Sequence, residues 1–253
     1  MSSKQDRVAI VTGAANGIGK AVAEQLVSEG RTVVLLDRDE APLRALTSEL
    51  TGPGKAEPEV VDLAVEKQIL DAMSRIKSRH QNIDILVNNA GIHPKKDGGK
   101  CPLPEIDSAH WAQVIAVNLT APFLLCREVL PLMQRNRWGR IINVSSRAGR
   151  APSPLSSASY SASKAGIIGL TRVIAVEGAP YGVTANVVAP GPVETSLTLQ
   201  SSPETRQKLT SGVPLGRYGQ PEELAAFICF VSSDAASYAT GAIFDVNGGT
   251  LMP

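Results

Sequence analysis

The hydrophobic residues of this chain are concentrated in seven short runs, separated by longer segments of mixed polarity. The runs lie at 8–11, 32–36, 60–61, 83–87, 140–144, 184–188 and 242–246, and most of them are nearly continuous in apolar character. Short continuous runs of this kind are typical of strands that are buried on both faces of a parallel sheet.

The segments between the runs have helical periodicity. Ile18, Ala21, Val22, Gln25 and Leu26, for example, follow i, i+3, i+4 spacing and form one stripe that can face a sheet. Alternation of strands and helices predicts an α/β, doubly wound (Rossmann-like) fold: a seven-stranded parallel sheet with helices on both faces and right-handed crossovers. Because there is no internal repeat or long linker, we expect residues 1–253 to form a single domain.

Two segments interrupt this alternation. Residues 93–104 are rich in Lys, Gly and Pro, and residues 190–214 are rich in Pro, Ser and Thr. Both follow strands at the predicted carboxyl edge of the sheet, where ligands bind in such folds. The first is equally well interpreted as a surface loop or as a wall of the pocket. The second predicts a mobile lid over 196–213, bounded by the rigid sequence Pro190-Gly191-Pro192.

Composition excludes several kinds of partner. The formal net charge of +1 gives no field for gathering nucleic acid or an anionic membrane. Cys101, Cys126 and Cys229 lack metal-ligand spacing, so we expect reduced thiols, no metal and a cytoplasmic location. The N-terminus is polar and no run of eighteen apolar residues occurs, which predicts neither a signal peptide nor a membrane span.

A glycine-rich turn follows the first predicted strand and precedes a helix. Its glycines, Gly13, Gly17 and Gly19, would permit a tight turn and close approach of a pyrophosphate to the helix N-terminus. The spacing is GxxxGxG and not GxGxxG, so the prediction depends on the strand–turn–helix context. We expect a dinucleotide to contact these glycines together with Asn16 and Ile18.

The second predicted strand ends at Asp37, 18 residues after Gly19. An acid at this place can accept hydrogen bonds from the adenosine ribose and repels a 2′-phosphate. Asp37 therefore favours NAD over NADP. Arg38 leaves NADP open, because an arginine can hold the 2′-phosphate.

Tyr160 and Lys164 are four residues apart, which places a phenol and an ammonium group on one face of a helix. Free tyrosine has a pKa of about 10 and is a poor base at neutral pH. A nearby lysine cation, together with the positive ring of an oxidised nicotinamide, would lower that pKa toward the working range.

At this point the sequence closely resembles the short-chain dehydrogenase/reductase family over nearly its whole length. The motifs occur in the order found in that family. They are Thr12-Gly13 through Gly17-Ile18-Gly19, Asp62-Leu63, Asn88-Asn89-Ala90-Gly91, Asn118, Ser145-Ser146, Tyr160 with Lys164, and Asn186 through Pro190-Gly191-Pro192-Val193 to Thr195.

The resemblance implies roles for the matching residues. Ser146 would bind the substrate oxygen and Tyr160 would exchange the proton. Lys164 would hold the nicotinamide ribose and tune the tyrosine, and Asn118 would anchor a water in a proton relay. Further cofactor contacts are implied for Asp62 and Leu63 near the adenine, for Asn89, Ala90 and Gly91 near the adenosine ribose, and for Pro190, Gly191, Val193 and Thr195 near the carboxamide and pyrophosphate. The family also implies a homotetramer, built on the helix after Asn118 and the helix of Tyr160, to which residues 248–253 can contribute.

One spacing departs from the family pattern. Members often place the serine 13 residues before the tyrosine, whereas Ser146 precedes Tyr160 by 14 and Arg147 occupies the expected position. We interpret this as one extra residue in the intervening loop, with Ser145 as the alternative catalytic serine.

The substrate is the least defined feature of the sequence. Arg147 and Arg150 follow the serine, and His93 with Lys95 and Lys96 follows the glycine at 91; in the pocket they would suit an acidic or polar substrate, and otherwise they are solvated loop residues. An aromatic content of 4% favours a small polar molecule.

Three functions remain in competition at this stage. The first is NAD-dependent interconversion of a secondary alcohol and a ketone, or of a primary alcohol and an aldehyde. The second is an NADPH-dependent 3-oxoacyl reductase that acts on an acyl-carrier-protein or CoA substrate. The third is a nonenzymatic nucleotide sensor on the same fold.

Overall fold

The protein was analysed as a computed structural model, which describes residues 7–153, 155–195, 198 and 202–252. Seven parallel strands form the main sheet in the order β3-β2-β1-β4-β7-β8-β9. The strands are β1 (Val8–Thr12), β2 (Thr32–Asp37), β3 (Lys55–Val60), β4 (Ile85–Asn88), β7 (Gly139–Val144), β8 (Val183–Pro190) and β9 (Ile243–Val246). The strand order reverses beside β1, which confirms the predicted doubly wound sheet.

Helices cover both faces of this sheet, as predicted. They are α1 (Gly17–Ser28), α2 (Glu40–Glu49), α3 (Glu66–Arg79), α4 (Ser108–Ile115), α5 (Ala121–Asn136), α6 (Ala158–Gly178), α7 (Pro203–Ser211) and α8 (Pro221–Val231). Successive strand residues point to opposite faces. Ile10 therefore packs with α3, α5 and α6, whereas Val11 packs with α1, α2 and α8.

A single π turn, Ala116–Thr120, joins α4 to α5. The continuous helix Ser108–Asn136 is long and apolar enough to cross a membrane by length and composition alone. Its residues Leu124, Leu125 and Val129 are buried in the core between α5 and the sheet, which accounts for the apolar composition without a membrane.

The third strand, β3, begins at Lys55 and ends at Val60, so it starts five residues before the apolar pair at 60–61 from which it was predicted. It is an edge strand, and its buried side chain is a carboxylate: Glu59 is 7% exposed and receives hydrogen bonds from Arg75 and Arg79 of α3. Ion pairing with α3 thus replaces the apolar contacts that the hydrophobic pattern would have detected.

The segment 93–104 contains a short antiparallel hairpin, which the sequence analysis did not predict. Its strands are β5 (Lys95–Lys96) and β6 (Gly99–Lys100), joined by Asp97 and Gly98 at φ +50° and +71°. Positive φ at both positions defines a type I′ turn. The main-chain N–H of Ser202 donates to Gly98 O at 3.2 Å, so the hairpin contacts the residue that precedes α7.

The predicted lid over 196–213 is described only in part. Residues 196, 197 and 199–201 lie outside the described residues, and the later half of the segment forms α7.

Candidate active site

Many of the predicted site residues lie just beyond the carboxyl ends of four neighbouring strands. The glycine-rich turn follows β1, Asn89 follows β4, Ser145 and Ser146 follow β7, and Gly191 follows β8. Since parallel strands end at a common edge, residues far apart in sequence meet there.

The glycine-rich turn is closely packed against the loop after β4. Gly13 and Gly17 have φ values of +63° and +55°, which residues other than glycine rarely adopt. A Cβ on Gly19 would lie 2.1 Å from Gly13 O, and one on Gly17 would lie 3.0 Å from the methyl group of Thr195. Bare main chain at the N-terminus of α1 therefore forms a cradle suited to a phosphate. An open cavity of about 420 Å³ beside it is lined by Asn16, Gly17 and Thr195 among others.

Asn89 holds this turn in place. Its Nδ2 donates to Thr12 O at 3.0 Å and to Gly13 O at 3.3 Å, while the Thr12 hydroxyl accepts the main-chain N–H groups of Asn89 and Ala90 at 3.0 Å. The end of β1 and the end of β4 are thereby fixed to each other.

Asp37 also supports the turn. One carboxylate oxygen accepts the N–H of Ala15 at 3.0 Å and the other accepts that of Asp39 at 3.2 Å. Arg38 is exposed and lies 3.8 Å from the carboxylate of Asp39. The acid is thus oriented by the same turn that would hold the pyrophosphate.

The remaining predicted cofactor residues differ in their surroundings. Asp62 accepts the N–H of Ala64 at 2.9 Å, and Leu63 is buried. The side chain of Val193 packs in the core, so its main chain is the part available for a cofactor. Gly191 packs tightly, because a Cβ there would lie 2.6 Å from Asn247 O.

The first turn of α6 brings Tyr160 and Lys164 to the sheet edge. Ser157 caps this helix by accepting the N–H of Tyr160 at 3.3 Å. Lys164 is 3% exposed, and its Nζ donates to Val144 O at 2.9 Å and lies 5.8 Å from the centre of the Tyr160 ring. Burial lowers the pKa of Lys164 to about 8. A Cβ on Gly91 would lie 3.1 Å from that Nζ, so a side chain at this position would obstruct the amine.

Two adjacent serines have separate partners. The Ser146 hydroxyl lies close enough to the Tyr160 side chain to lower the pKa of the phenol, and it accepts the N–H of Ala148 at 3.1 Å. Ser145 is buried and donates to Lys164 O at 2.6 Å, which ties β7 to α6. The 14-residue spacing therefore still allows Ser146 to reach the tyrosine, and the alternative, Ser145, is occupied elsewhere.

The pKa of Tyr160 shifts in the direction opposite to our expectation. Burial raises it, and the hydrogen bond from Ser146 lowers it by less. In the chain without a nucleotide, desolvation of the phenol is the largest contribution, and Lys164 donates one hydrogen bond to Val144 O.

Asn118 lies in the π turn and is completely buried. Its Oδ1 accepts the N–H of Ile92 at 2.8 Å, and its Nδ2 donates to Ile92 O at 2.9 Å and to Ser163 Oγ at 3.1 Å. Through Asn118, the π turn thus hydrogen-bonds the long helix to Ile92 in the loop after β4. Single π turns of this kind are frequent at functional sites.

Among the four predicted substrate residues, Ser146 and His93 contact Tyr160. His93 stacks on the phenol ring with 4.4 Å between ring centres. Arg150 is instead ion-paired at 2.9 Å with Asp245 of β9, and Arg147 is half-buried in the turn after Ser146. Lys96 is exposed and ion-paired with Glu105 on the outer side of the hairpin.

Ser157 was not predicted as part of the site, and Lys95 was considered only together with His93 and Lys96 as a pocket residue or a solvated loop residue. A serine directly before a helix is a capping signal and could have identified Ser157. The contact of Lys95 with His93 depends on the hairpin, which an Asp-Gly turn between short strands could have indicated. Within the described residues no group of three or more His, Cys, Asp or Glu side chains could hold a metal ion.

Comparison with known proteins identifies the family of the chain. The family model described as enoyl-(acyl carrier protein) reductase matches residues 13–250. The chain belongs to the short-chain dehydrogenase/reductase family.

Particular relatives share one kind of name. The chain is 41% identical to the 3-oxoacyl-[acyl-carrier-protein] reductase FabG of Aquifex aeolicus, over 97% of both chains, and 39% identical to that of Thermotoga maritima, over 98% and 99%. A crystal structure of a 3-oxoacyl-[acyl-carrier protein] reductase from Brucella melitensis superposes with a TM-score of 0.91, at 35% identity over 98% of this chain and 92% of that one. A second structure, of a 3-oxoacyl-[acyl-carrier protein] reductase from the same organism with bound NAD, has a TM-score of 0.90 at the same identity and coverage.

The protein is accordingly an oxidoreductase with a nucleotide cofactor. The names of the relatives favour the second of the three functions considered from the sequence, a 3-oxoacyl reductase, over a dehydrogenase of small polar alcohols.

Proposed function

We propose that this protein reduces the 3-oxo group of a 3-oxoacyl thioester, carried on an acyl carrier protein or on coenzyme A, to a 3-hydroxyl group. The observation that carries the proposal is the trio at the sheet edge, in which the half-buried side chains of Ser146 and Tyr160 interact and the buried Lys164 lies on the same helix face as Tyr160. The names of the relatives supply the substrate class.

The chain's own residues would act on the substrate oxygen. When bound at the glycine-rich turn, a nicotinamide nucleotide would supply the hydride for the carbonyl carbon. Ser146 and Tyr160 donate hydrogen bonds to the carbonyl oxygen, and Tyr160 transfers its proton to that oxygen as negative charge develops there. Burial keeps Tyr160 protonated beforehand, because it raises the pKa of the phenol. The neighbouring ammonium of Lys164 then stabilises the phenolate that remains.

The same geometry favours reduction of a C=O bond over reduction of a C=C bond. The description of the family model names an enoyl reductase, an enzyme that reduces a C=C bond. A hydroxyl paired with a phenol provides two donors for one oxygen and places a proton there, which carbonyl reduction requires at the reacting atom.

We further propose NAD(H) as the preferred nucleotide. Asp37 is fixed by the turn at Ala15, and its carboxylate would repel a 2′-phosphate. The NAD-bound Brucella melitensis structure supports the same choice. Asp37→Ser should raise activity with NADPH relative to NADH by at least about tenfold, because like-charge repulsion of a few kcal/mol is removed. An unchanged ratio would contradict the assignment of Asp37.

A second candidate is oxidation of a small polar alcohol with NAD. The observation that favours it is the polar wall next to Tyr160, where His93 and Lys95 lie at hydrogen-bond distance from each other.

One panel of assays separates the two candidates. Acetoacetyl-CoA and an acetoacetyl acyl carrier protein are tested with NADH and NADPH, and polyols, sugars and hydroxy acids with NAD and NADP, by absorbance of the reduced nicotinamide. Tyr160→Phe is the inactive control. Turnover of the thioesters, lost in Tyr160→Phe, supports the proposal, whereas turnover confined to the alcohols supports the second candidate. Nucleotide binding without turnover of either group would indicate the nonenzymatic function.

We also propose a cytoplasmic homotetramer. Large apolar side chains are exposed on the two helices that the family uses for assembly: Phe123 on α5 is 45% exposed, and Val173 and Val176 on α6 are 56% and 74% exposed. Val176→Glu should shift the particle to a smaller size in light scattering. A mass equal to one chain for the unmodified protein would contradict this.

A further inference from the structure

His93 lies against the face of Tyr160 although it follows a different strand. The two ring centres are 4.4 Å apart with 23° between the ring planes, and His93 is 7% exposed. Offset stacking of this kind limits how far the phenol ring can tilt. The imidazole therefore contacts the residue that, in the proposed function, transfers the proton.

The main chain that carries His93 is fixed just before it. Both main-chain groups of Ile92 are hydrogen-bonded to Asn118, at 2.8 Å and 2.9 Å. Asn118 is fully buried and is itself bonded to Ser163 of α6, the helix that carries Tyr160. Histidine and tyrosine are thus held relative to each other by one connected set of hydrogen bonds.

The ring nitrogens of His93 have two different partners. The main-chain N–H of Ser157 donates to Nε2 at 3.1 Å, and Lys95 Nζ lies 3.1 Å from Nδ1. A main-chain N–H can only donate, so Nε2 carries no proton. The single proton of the neutral ring is then on Nδ1, and this N–H points at the amine of Lys95.

In this tautomer Lys95 can accept the Nδ1–H only as a free amine, because an ammonium group has no acceptor. Burial lowers the pKa of Lys95, which is the direction that favours the free amine. Burial is also the largest cause that lowers the pKa of His93 to about 3, so the ring itself is neutral.

We propose that His93 is a positioning residue for Tyr160, held by Ser157 and Lys95 as the neutral Nδ1–H tautomer with its ring face against the phenol. This proposal rests on the function proposed for Tyr160. Ser157 has a double role, because its hydroxyl accepts the N–H of Tyr160 while its own N–H fixes His93. Rotation of the phenol away from the substrate oxygen would have to break the stack.

The first test reads the tautomer directly and needs no substrate. The chain contains three histidines, so ¹⁵N-histidine labelling gives few ring signals, and comparison with His93→Phe assigns those of His93. We expect a protonated Nδ1 and an unprotonated Nε2 at pH 7. A protonated Nε2, or a ring protonated at both nitrogens, would overturn the proposal.

The second test is kinetic and uses whichever substrate of the panel the protein turns over. His93→Ala should lower kcat by about 10- to 100-fold, because a misplacement of about 1 Å at a reacting group has that effect. KM and the Kd for NAD should stay within about threefold, since His93 does not support the glycine-rich turn. His93→Phe keeps a ring against Tyr160 and should recover part of the loss.

His80→Ala is the matched control. His80 follows the last residue of α3 and pairs with Glu57 of β3 at 2.9 Å, far from the tyrosine in the sheet order, so its kcat should be that of the unmodified protein. A kcat of His93→Ala equal to that of the control would refute the positioning role. If Tyr160→Phe itself remained active, the proposed function would fail, while the tautomer measurement would still decide whether the Ser157–His93–Lys95 arrangement exists.

Discussion

Gly19→Ala tests the close packing of the glycine-rich turn. Gly19 lies in the first turn of α1, and a Cβ there would be 2.1 Å from Gly13 O and 2.6 Å from Asn89 Nδ2. Protein Cβ atoms essentially never approach other heavy atoms within 3.0 Å. The start of α1 and the loop carrying Gly13 would therefore have to separate by roughly 1 Å, and the hydrogen bonds of Asn89 to that loop would be disturbed.

The magnitude follows from two opposed effects. Overpacking of this kind costs about 1–3 kcal/mol, and alanine in a helix returns at most about 1 kcal/mol. We expect a net loss of about 1–2 kcal/mol in the free energy of unfolding, or a Tm lowered by about 2–8 °C for a chain of this size. NAD should bind at least about tenfold more weakly, because the cradle for the pyrophosphate moves with Gly13.

Two measurements check this prediction: Tm by differential scanning calorimetry without nucleotide, and the Kd for NAD by isothermal titration calorimetry. Gly219→Ala is the matched control, because the atom nearest to its added Cβ is 3.6 Å away, an ordinary contact. The control should bind NAD as the unmodified protein does. A Gly19→Ala variant with unchanged Tm and a Kd within about twofold would refute the described packing.

Three further predictions concern the serines, the buried lysine and a loop ion pair. Ser146→Ala should lower kcat by about 10²–10³-fold in steady-state kinetics, as for a lost oxyanion donor. Ser145→Ala should mainly lower the free energy of unfolding in urea, by about 1–3 kcal/mol, because its hydrogen bond to Lys164 O is lost. The opposite pattern would show that Ser145 is the catalytic serine. Burial lowers the pKa of Lys164 from 10.5 to about 8, so between pH 8 and pH 10.5 the unfolded chain binds more protons than the folded chain. The contribution of Lys164 to the free energy of unfolding therefore rises with pH in this range. In Lys164→Met, urea unfolding at pH 8 and pH 10 should no longer show this rise. Arg150→Met leaves Asp245 without its ion-pair partner and should lower the free energy of unfolding by about 2–4 kcal/mol. The double variant with Asp245→Leu should recover a large part of this loss. Equal stability of the single and double variants would contradict a stabilising ion pair.

The sheet could be predicted from sequence because most of its strands are buried on both faces. A run such as 83–87 is apolar at nearly every position, and few other structures explain it. The third strand was misplaced because Glu59 fills a buried position there by pairing with Arg75 and Arg79, so polarity does not report burial at that edge.

The site was predictable where its chemistry depends on short spacings. Tyr160 and Lys164 share a helix face, and the glycines of the first turn are contiguous with their strand. The surroundings of Tyr160 were not predictable, because the bond from Ser157 N to His93 joins residues 64 apart and requires the finished tertiary structure. The same is true of the pKa of Tyr160, whose direction is set by burial and not by the nearby lysine.

The three cysteines have a practical consequence for watching this molecule move. Cys101 precedes α4 just after the hairpin, Cys126 lies in α5 and Cys229 in α8, and all three are free and at most 6% exposed. Burial raises the pKa of the Cys126 thiol to about 12, so the native protein offers almost no thiolate there to an alkylating reagent. Labelling of Cys126 requires opening of the core in which it packs, whereas we expect labelling of Cys101 to report opening of the segment that follows the hairpin. Comparison of the two alkylation rates would therefore separate local opening near the substrate side of the site from opening of the core, without an added probe.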